Sequence, residues 1–205
     1  MLSQDTPINY DLLAKATQFY RGYRFKQIEV PWLVDSDSSM RTAPSKDVCF
    51  VVRDGRHLVG SAEQGFIELS LEKLVGYGQR DKIELGQNYF AVSPCFRNEK
   101  LDDTHSKWFM KLELYSLHDT QIAADVASNN FLTLARDFFW EVAARNADIE
   151  KTDTGFDLSL GGLEVGSYGT RVLKTIWGDG YAAYGTGIAL PRFQIALERA
   201  YSGLP

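Results

Sequence analysis

The chain has 205 residues, of which 44% are hydrophobic and 24% charged, a composition typical of a folded globular domain and unlike that of a disordered segment. Its formal net charge of −5 argues against binding nucleic acid through bulk positive charge, so we expect no DNA partner. No apolar run is long enough for a membrane helix, so we expect no membrane partner. The two cysteines, Cys49 and Cys95, favour a reducing compartment, the cytoplasm, although their number leaves one disulfide open.

Hydrophobic periodicity and turn residues predict the following elements in chain order: a helix over Asn9–Gly22, a strand over Phe25–Val34, a loop over Asp35–Asp47, a hairpin over Val48–Gly60, a helix over Gln64–Tyr77, strands over Tyr89–Asn98 and Ser106–Ser116, a helix over Ile122–Arg145, short strands with glycine-rich turns over Ile149–Tyr184, and a helix over Ile188–Tyr201. The dipeptide Asp54-Gly55 suits a type I′ turn, in which both central residues need positive φ. This pattern predicts a single α+β domain over residues 1–205, with an antiparallel sheet and helices mainly on one face.

A first group of polar residues lies where two of the predicted strands meet. Arg97 and Glu99 are two positions apart and therefore share a face, as do Phe109 and Glu113 on the returning strand. Such a face suits a nucleotide, because arginine binds phosphate bidentately, a carboxylate accepts from an amino group and an aromatic ring stacks on the base. By themselves these residues favour the alternative, an Arg97–Glu99 ion pair beside a core Phe109.

A second candidate is the small-residue segment Gly185–Leu190, which runs into a helix with Arg192 at its start. Residues without bulk let a ligand approach the backbone closely. An arginine at a helix N-terminus adds to the positive end of the helix dipole and favours phosphate. A tightly packed joint between strand and helix would explain the same glycines.

Together these segments resemble motifs 2 and 3 of the class II aminoacyl-tRNA synthetases, in particular the seryl type. Ser93–Glu99 with Phe109–Leu114 is similar to motif 2, and Gly185–Glu198 is similar to motif 3, with Pro191 in place of the usual acidic residue. Val30–Leu33 is similar to motif 1. The resemblance implies a class II synthetase-like fold, an antiparallel sheet flanked by helices, and a homodimer formed through the motif 1 region.

Two further segments extend the resemblance. Leu58–Glu63 is similar to the segment that holds the substrate amino group in seryl-type enzymes, which implies that Ser61 and Glu63 bind the amino acid. Glu164 and Ser167 match a Glu-x-x-Ser segment that binds magnesium together with ATP, and Mg²⁺ prefers such hard oxygen ligands. Taken singly, each glutamate also fits an ordinary position at a helix start or strand end.

The activity that the resemblance implies is Mg²⁺-dependent activation of an amino acid by ATP, which forms an aminoacyl-adenylate. Arg97 would hold the α-phosphate and the attacking carboxylate, and Arg192 would stack on the adenine or reach the γ-phosphate, which makes these two the catalytic candidates.

Four further residues complete the implied ATP site. Glu99 would read the adenine amino group, and Phe109 would stack beneath the base. His105 would touch the γ-phosphate or have no role, and Glu113 would support a second metal ion or orient Arg97.

The chain also departs from the synthetase pattern. The segment between Glu99 and Phe109 is shorter than in seryl-type enzymes, the net charge is acidic, and the 205 residues contain no segment expected to form an anticodon-binding domain. These features favour an acceptor other than a whole tRNA, such as a carrier-protein thiol, a small amine or a protein lysine; an ammonia-dependent amide ligase is a special case. A minimal tRNA-aminoacylating enzyme and a non-catalytic accessory protein remain the alternatives.

The sequence leaves the substrate amino acid open. Three residues just before the motif 3 segment, where specificity is often set, are Trp177, Asp179 and Tyr184. A zinc ion of the Cys-Glu-Cys type is not expected, because Cys95 lies within the motif 2 segment and Cys49 within the predicted hairpin.

Overall fold

The structure is a computed structural model that describes residues 6–43, 45–75, 83–100, 102, 104–175 and 178–202, with the side chains of all but 72–75. Within these ranges the elements are α1 (Tyr10–Gly22), β1 (Lys26–Gln27), β2 (Leu33–Val34), α2 (Ser36–Met40), a 3₁₀ turn (Lys46–Val48), β3 (Phe50–Val51), β4 (His57–Leu58), α3 (Ala62–Val75), β5 (Tyr89–Phe96), β6 (Trp108–His118), α4 (Gln121–Ala143), β7 (Asp148–Thr152), β8 (Gly155–Leu160), β9 (Leu163–Thr175), β10 (Gly178–Leu190) and α5 (Arg192–Ser202). None of the helices in the described ranges is long and apolar enough to cross a membrane.

The main sheet has the strand order β1-β5-β6-β10-β9-β8-β7 in the described part of the chain. β1 pairs with β5 in parallel, and the other neighbours pair antiparallel. A smaller antiparallel sheet contains β2, β4 and β3 in that order. The predicted α+β fold with an antiparallel sheet is thereby confirmed.

Helices cover the two faces of the main sheet unequally. α1, α4 and α5 pack on one face. There Phe131 and Phe138 of α4 form a core with sheet residues such as Tyr168. On the other face α3 packs on the sheet, and its Phe66 stacks on Tyr115 with ring centroids 4.6 Å apart. The rest of this second face carries the pockets described below.

The predicted strand over Phe25–Val34 is wrong as a single element. Its first part, β1, pairs with β5, whereas its second part, β2, pairs with β4 in the small sheet. Pro31 lies between the two parts, and it has no N–H to donate to a ladder, so it suits the point where the chain leaves one sheet for the other.

The predicted loop over Asp35–Asp47 contains a short helix, α2. Serine and aspartate, which indicated a loop, are also the residues that favour a helix N-terminus, so their presence did not distinguish the two. The helix buries Ser39 against α3, where its carbonyl oxygen accepts a hydrogen bond of 3.1 Å from Gln64 Nε2.

The predicted hairpin is present, but its turn is not type I′. Gly55 has φ of 84°, whereas Asp54 has no positive φ. Gly55 N donates to Val52 O at 3.0 Å and Val52 N donates to Arg56 O at 2.8 Å, which is the pattern of a three-residue loop with a glycine bulge.

The C-terminal third also differs from the prediction. The region predicted as short strands contains β9 and β10, each of 13 residues. Residues 188–190 continue β10 and do not begin the last helix, which starts at Arg192. Pro191, which cannot donate to the ladder, separates strand and helix.

Gly185 and Gly187 of β10 pack against the core and not against the open face. A Cβ at Gly185 would lie 2.6 Å from a ring carbon of Tyr168, and one at Gly187 would overlap Leu112 and lie 2.8 Å from a ring carbon of Tyr20. The Tyr20 hydroxyl also donates to Gly187 O at 3.1 Å. The expectation that these glycines let a ligand approach is therefore wrong; they permit close packing of helices on the sheet.

Replacing Gly187 with Ala should destabilise the fold, because overpacking of a closely packed core typically costs about 1–3 kcal/mol. Urea denaturation measures the loss in the free energy of unfolding. The matched control is Gly22→Ala, where no atom lies within 4 Å of the added Cβ and where we expect a change below about 0.5 kcal/mol. Equal stability of both variants would contradict this packing role of Gly187.

Candidate active site

The open face of the sheet carries two adjoining pockets. The first, here called the Phe109 cleft, is lined by Arg97, Glu99, His105, Phe109, Glu164 and Arg192, among other residues. The second, here called the Glu63 pocket, has a volume of about 430 Å³, and its lining includes Ser61, Glu63, Glu113, Ser167, Arg171 and Tyr184. All ten site residues that the sequence predicted thus line one pocket or the other, and the two pockets share Arg97, Glu99 and Lys111.

The pairing of β5 with β6 brings the motif 2 residues together. In this register Cys95 lies opposite Phe109, and the ladder continues past the strand end through a hydrogen bond of 2.9 Å from Arg97 N to Lys107 O. Phe109, Lys111 and Glu113 alternate with buried core residues and so share the open face.

Arg97 lies at the junction of the two pockets and is held by three contacts. Its Nε donates to Gly60 O at 3.0 Å, and its guanidinium carbon lies 5.2 Å from the centre of the Phe109 ring. The third contact, Nη1 to Glu99 Oε1, is long at 3.9 Å. The anticipated ion pair therefore exists, but it is loose and leaves much of the hydrogen-bonding capacity of Arg97 for a ligand.

A β-bulge places Glu164 and Ser167 on the same face. Residues three apart on a regular strand point to opposite faces. The register of β8 with β9 shifts here, since Leu158 lies opposite Gly166 whereas Ser159 lies opposite Glu164. Glu164 consequently lines the Phe109 cleft and Ser167 the Glu63 pocket.

Arg192 and Glu164 meet across the Phe109 cleft. Arg192 is the first residue of α5, and its Nε donates to the backbone oxygen of Glu164 at 2.8 Å. This bond uses the carbonyl and leaves the Glu164 carboxylate available. The described residues contain no cluster of three or more His, Cys, Asp or Glu side chains that could hold a metal ion. The Glu164 carboxylate and the Ser167 hydroxyl are hard oxygen donors, the type that Mg²⁺ accepts when its remaining ligands are phosphates or water.

His105 is oriented by Asp102 at the edge of the Phe109 cleft. Its Nδ1 lies 2.7 Å from Asp102 Oδ2, and Asp102 Oδ1 accepts from the backbone N–H groups of Thr104 and His105. The Thr104 N–H, followed by the His105 side chain, holds the pKa of Asp102 well below its ordinary value. Asp102 thus stays ionised and holds the imidazole at the cleft.

Glu113 lies at the bottom of the Glu63 pocket with only 1% of its surface exposed. Its carboxylate accepts from the Ser61 hydroxyl at 2.5 Å and pairs with Lys111 Nζ at 2.8 Å. These two bonds fix the orientation of the Glu113 carboxylate. Ser61 thereby links the start of α3 to β6.

Glu63, with 5% of its surface exposed, forms an ion pair with Arg171. Arg171 Nε donates to Glu63 Oε1 at 2.9 Å, and Nη1 donates to Arg41 O at 2.7 Å. Desolvation raises the pKa of Glu63, and the charge of Arg171 partly offsets that rise. No sequence motif pointed to Arg171, although its position four residues after Ser167 on one strand places it on the same face.

The candidate specificity residues and the two cysteines lie in different surroundings. Tyr184 lines the Glu63 pocket, Asp179 is exposed near the start of β10, and Trp177 lies outside the described residues. Both cysteines are free thiols. Burial raises the pKa of Cys95 to about 12, which disfavours the thiolate that a zinc ion would need, whereas Cys49 lines the Glu63 pocket.

Comparison with known proteins identifies the fold. No protein-family model and no curated protein sequence matches the chain. Solved structures do match. A pyrrolysyl-tRNA synthetase of Desulfitobacterium hafniense has a TM-score of 0.66 and 19% sequence identity, and the match covers 92% of this chain and 66% of that one. The seryl-tRNA synthetase of Pyrococcus horikoshii complexed with ATP has a TM-score of 0.68 and 16% identity, covering 90% of this chain and 49% of that one; the cytoplasmic serine-tRNA ligase of Naegleria fowleri in complex with AMP has a TM-score of 0.68 and 15% identity, covering 93% and 55% respectively.

These matches show that the chain has the fold of a class II aminoacyl-tRNA synthetase catalytic core, as the sequence motifs predicted. The chain spans roughly half to two thirds of the length of the three chains compared. At identities of 15–19% the likeness concerns the fold alone.

The Glu63–Arg171 pair generates a prediction about stability. Arg171→Met leaves a buried carboxylate without its cation, and breaking a buried pair in this way typically costs about 3–5 kcal/mol. Because the Arg171 side chain is 28% exposed, we expect a loss near the lower end of that range at pH 7.5, measured by urea denaturation.

The loss should depend on pH in a defined direction. When folding raises the pKa of a carboxyl group, the group stabilises the folded state at pH values below its pKa in the unfolded chain. That stabilisation is lost as the pH rises through its pKa in the folded protein. Removing Arg171 raises the pKa of Glu63 further, so the deficit of R171M should shrink on acidification from pH 7.5 to pH 5. The double variant Glu63→Gln/Arg171→Met should recover most of the loss. A deficit that is the same at both pH values would point to lost packing alone.

Proposed function

We propose that the chain activates an amino acid with ATP in a Mg²⁺-dependent reaction, forming an aminoacyl-adenylate, and transfers the aminoacyl group to an acceptor other than a whole tRNA. The observation that carries this proposal is the meeting of two pockets at Arg97. One has the aromatic ring and charges that suit a nucleotide, and the other has a buried carboxylate that suits an ammonium group.

The reaction would take place where the two pockets meet. A carboxylate oxygen of the amino acid attacks the α-phosphorus of ATP, a new oxygen–phosphorus bond forms, and the bond to the β-phosphate oxygen breaks, so that pyrophosphate leaves with the electron pair. Arg97 is the residue placed to neutralise both the carboxylate and the α-phosphate, because it lines both pockets and its long contact with Glu99 leaves donors available.

The Phe109 cleft would bind the nucleotide. Phe109 offers a ring face for the adenine, and Glu99 offers a carboxylate for its amino group. Arg192, at the N-terminus of α5, adds charge where phosphates or the second face of the base would lie. His105, held by Asp102, would contact the terminal phosphates.

The Glu63 pocket would bind the amino acid. Glu63 pairs with Arg171 through one carboxylate oxygen, so its other oxygen can accept from the substrate ammonium. The Ser61 hydroxyl donates to Glu113, and this pair would bind the substrate at the bottom of the pocket. Glu164 and Ser167 would hold Mg²⁺, which neutralises charge on the ATP phosphates.

The acceptor is proposed from charge and loop length. The chain has a net charge of −5 and only nine residues between Glu99 and Phe109, so it has no excess of positive charge and a short motif 2 loop for an RNA acceptor stem. A carrier-protein thiol or a small amine would attack the activated carbonyl and release AMP. Neither group needs an extended basic surface.

A second copy of the chain is the proposed structural partner. β1 is the terminal strand of the main sheet in the described residues, so one of its edges is open for contact. Three large apolar side chains in the segments next to β1, β2 and β5 are each more than half exposed: Tyr23, Trp32 and Leu85. Sedimentation at micromolar concentration should show a dimer, which Trp32→Asp should weaken; a monomeric wild type would contradict this assignment.

Amino-acid-dependent exchange of pyrophosphate into ATP, in the presence of Mg²⁺, tests the activity across the twenty amino acids. We expect exchange with one or two amino acids and a loss of about 100-fold or more for Arg97→Ala, since removing a single charge-stabilising donor typically costs a factor of 10²–10³. The control is Arg53→Ala, an exposed arginine of the hairpin turn that lines neither pocket.

If no pyrophosphate exchange is observed, ATP binding measured by calorimetry distinguishes the remaining explanations. Phe109→Ala should weaken ATP binding by about 1–3 kcal/mol, the usual contribution of stacking between a base and an aromatic ring. Its neighbour Trp108 alternates to the other side of β6, so Trp108→Ala is the matched control. ATP binding without exchange would indicate an accessory protein without catalysis, and loss of both would refute the proposed nucleotide site.

A further inference from the structure

Arg171 is a positively charged residue of the Glu63 pocket, and the proposed reaction gives it no role. It lies on β9, on the same face as Ser167, and its side chain is 28% exposed toward the pocket that it lines. Arginine remains charged at any physiological pH, so this position keeps a fixed positive charge beside the bound substrate.

Three contacts fix the plane of the Arg171 guanidinium. Its Nε donates to Glu63 Oε1 at 2.9 Å, its Nη1 donates to Arg41 O at 2.7 Å, and its carbon lies 5.2 Å from the centre of the Tyr184 ring. A guanidinium has five N–H donors, and these bonds use two of them. Among the described residues Nη2 has no hydrogen-bond partner, so a rigidly held pair of donors remains for a ligand.

The charges of the pocket indicate what kind of ligand this is. Glu113 is already matched by Lys111 at 2.8 Å. When a substrate ammonium binds to Glu63, that one carboxylate faces two cations, the ammonium and Arg171. The α-carboxylate of the substrate would be bound by Arg97, so a second anion beside Arg171 would balance this charge, and buried charges are costly unless they are paired. An anionic group on the substrate side chain would supply it.

We propose that Arg171 selects an amino acid whose side chain carries a carboxylate, by donating hydrogen bonds to that carboxylate. This inference rests on the proposed amino acid site, but it concerns only which amino acid binds. The neutral amide of the same shape offers an uncharged acceptor to a charged donor. Since a charged donor forms a stronger hydrogen bond to a charged acceptor than to a neutral one, the acid should bind about 10-fold more tightly than its amide.

Calorimetry of the intact chain tests the proposal with two matched pairs, L-aspartate with L-asparagine and L-glutamate with L-glutamine, in the presence of a non-hydrolysable ATP analogue and Mg²⁺. We expect one acid to bind about 10-fold more tightly than its amide. Arg171→Gln should remove this preference by weakening binding of the acid about 10-fold more than binding of the amide, and Arg171→Lys should retain part of it.

Arg145→Gln is the control variant. Arg145 also lies over a tyrosine ring, 5.1 Å from the centre of Tyr201, but it does not line the Glu63 pocket. Melting temperature and binding of the ATP analogue verify that each variant is folded. If Arg171→Gln is unfolded, Arg171→Lys and the wild-type comparison of acid with amide still decide the question.

The outcomes separate the two proposals. A wild-type preference for a neutral amino acid, or an equal loss of acid and amide binding in Arg171→Gln, would overturn the inference, because Arg171 would then act only through Glu63. Absence of binding by all four amino acids would overturn it as well. Arg171-dependent binding of an acid without pyrophosphate exchange would support the inference and contradict the proposed activity.

Discussion

The register of β6 with its neighbours β5 and β10 is the constraint on which both pockets depend. Phe109, Lys111 and Glu113 alternate along β6, so one register places an aromatic ring, a cation and a buried carboxylate on the open face. A slip by one residue would turn all three into the core and expose Leu112 in their place. The pairing on both sides, and the apolar core beneath it, fix that register.

Two irregularities in β9 and β10 complete the site. The register shift in β9 lets Glu164 and Ser167 share a face, and the bulge at Gly187 sends two successive residues of β10 toward the core before the strand reaches Arg192. Bulges often occur beside functional sites, where they redirect side chains. Here they do so without interrupting the packing of the helices behind the sheet.

Local patterns predicted most of the elements, and alternation along the strands placed Arg97 with Glu99 and Phe109 with Glu113. The other candidate residues came from the resemblance of their segments to class II synthetase motifs. Local patterns did not predict that Phe25–Val34 divides between two sheets, since the division depends on which strand each half meets. They did not identify Arg171, whose partner Glu63 lies 108 residues earlier in the chain. The sequence left two explanations for Gly185, because it does not reveal whether a missing side chain makes room for a ligand or for Tyr168.

The bond from Arg97 to the carbonyl oxygen of Gly60 has a thermodynamic consequence. Gly60 begins the segment that leads to Ser61 and Glu63 in the Glu63 pocket. The backbone of this segment therefore holds the Arg97 side chain, which also lines the Phe109 cleft. Any ligand that shifts this segment also shifts Arg97. For such a ligand the affinities of the two pockets are linked, and linkage is reciprocal: the factor by which one ligand changes the affinity for the second equals the factor in the opposite direction.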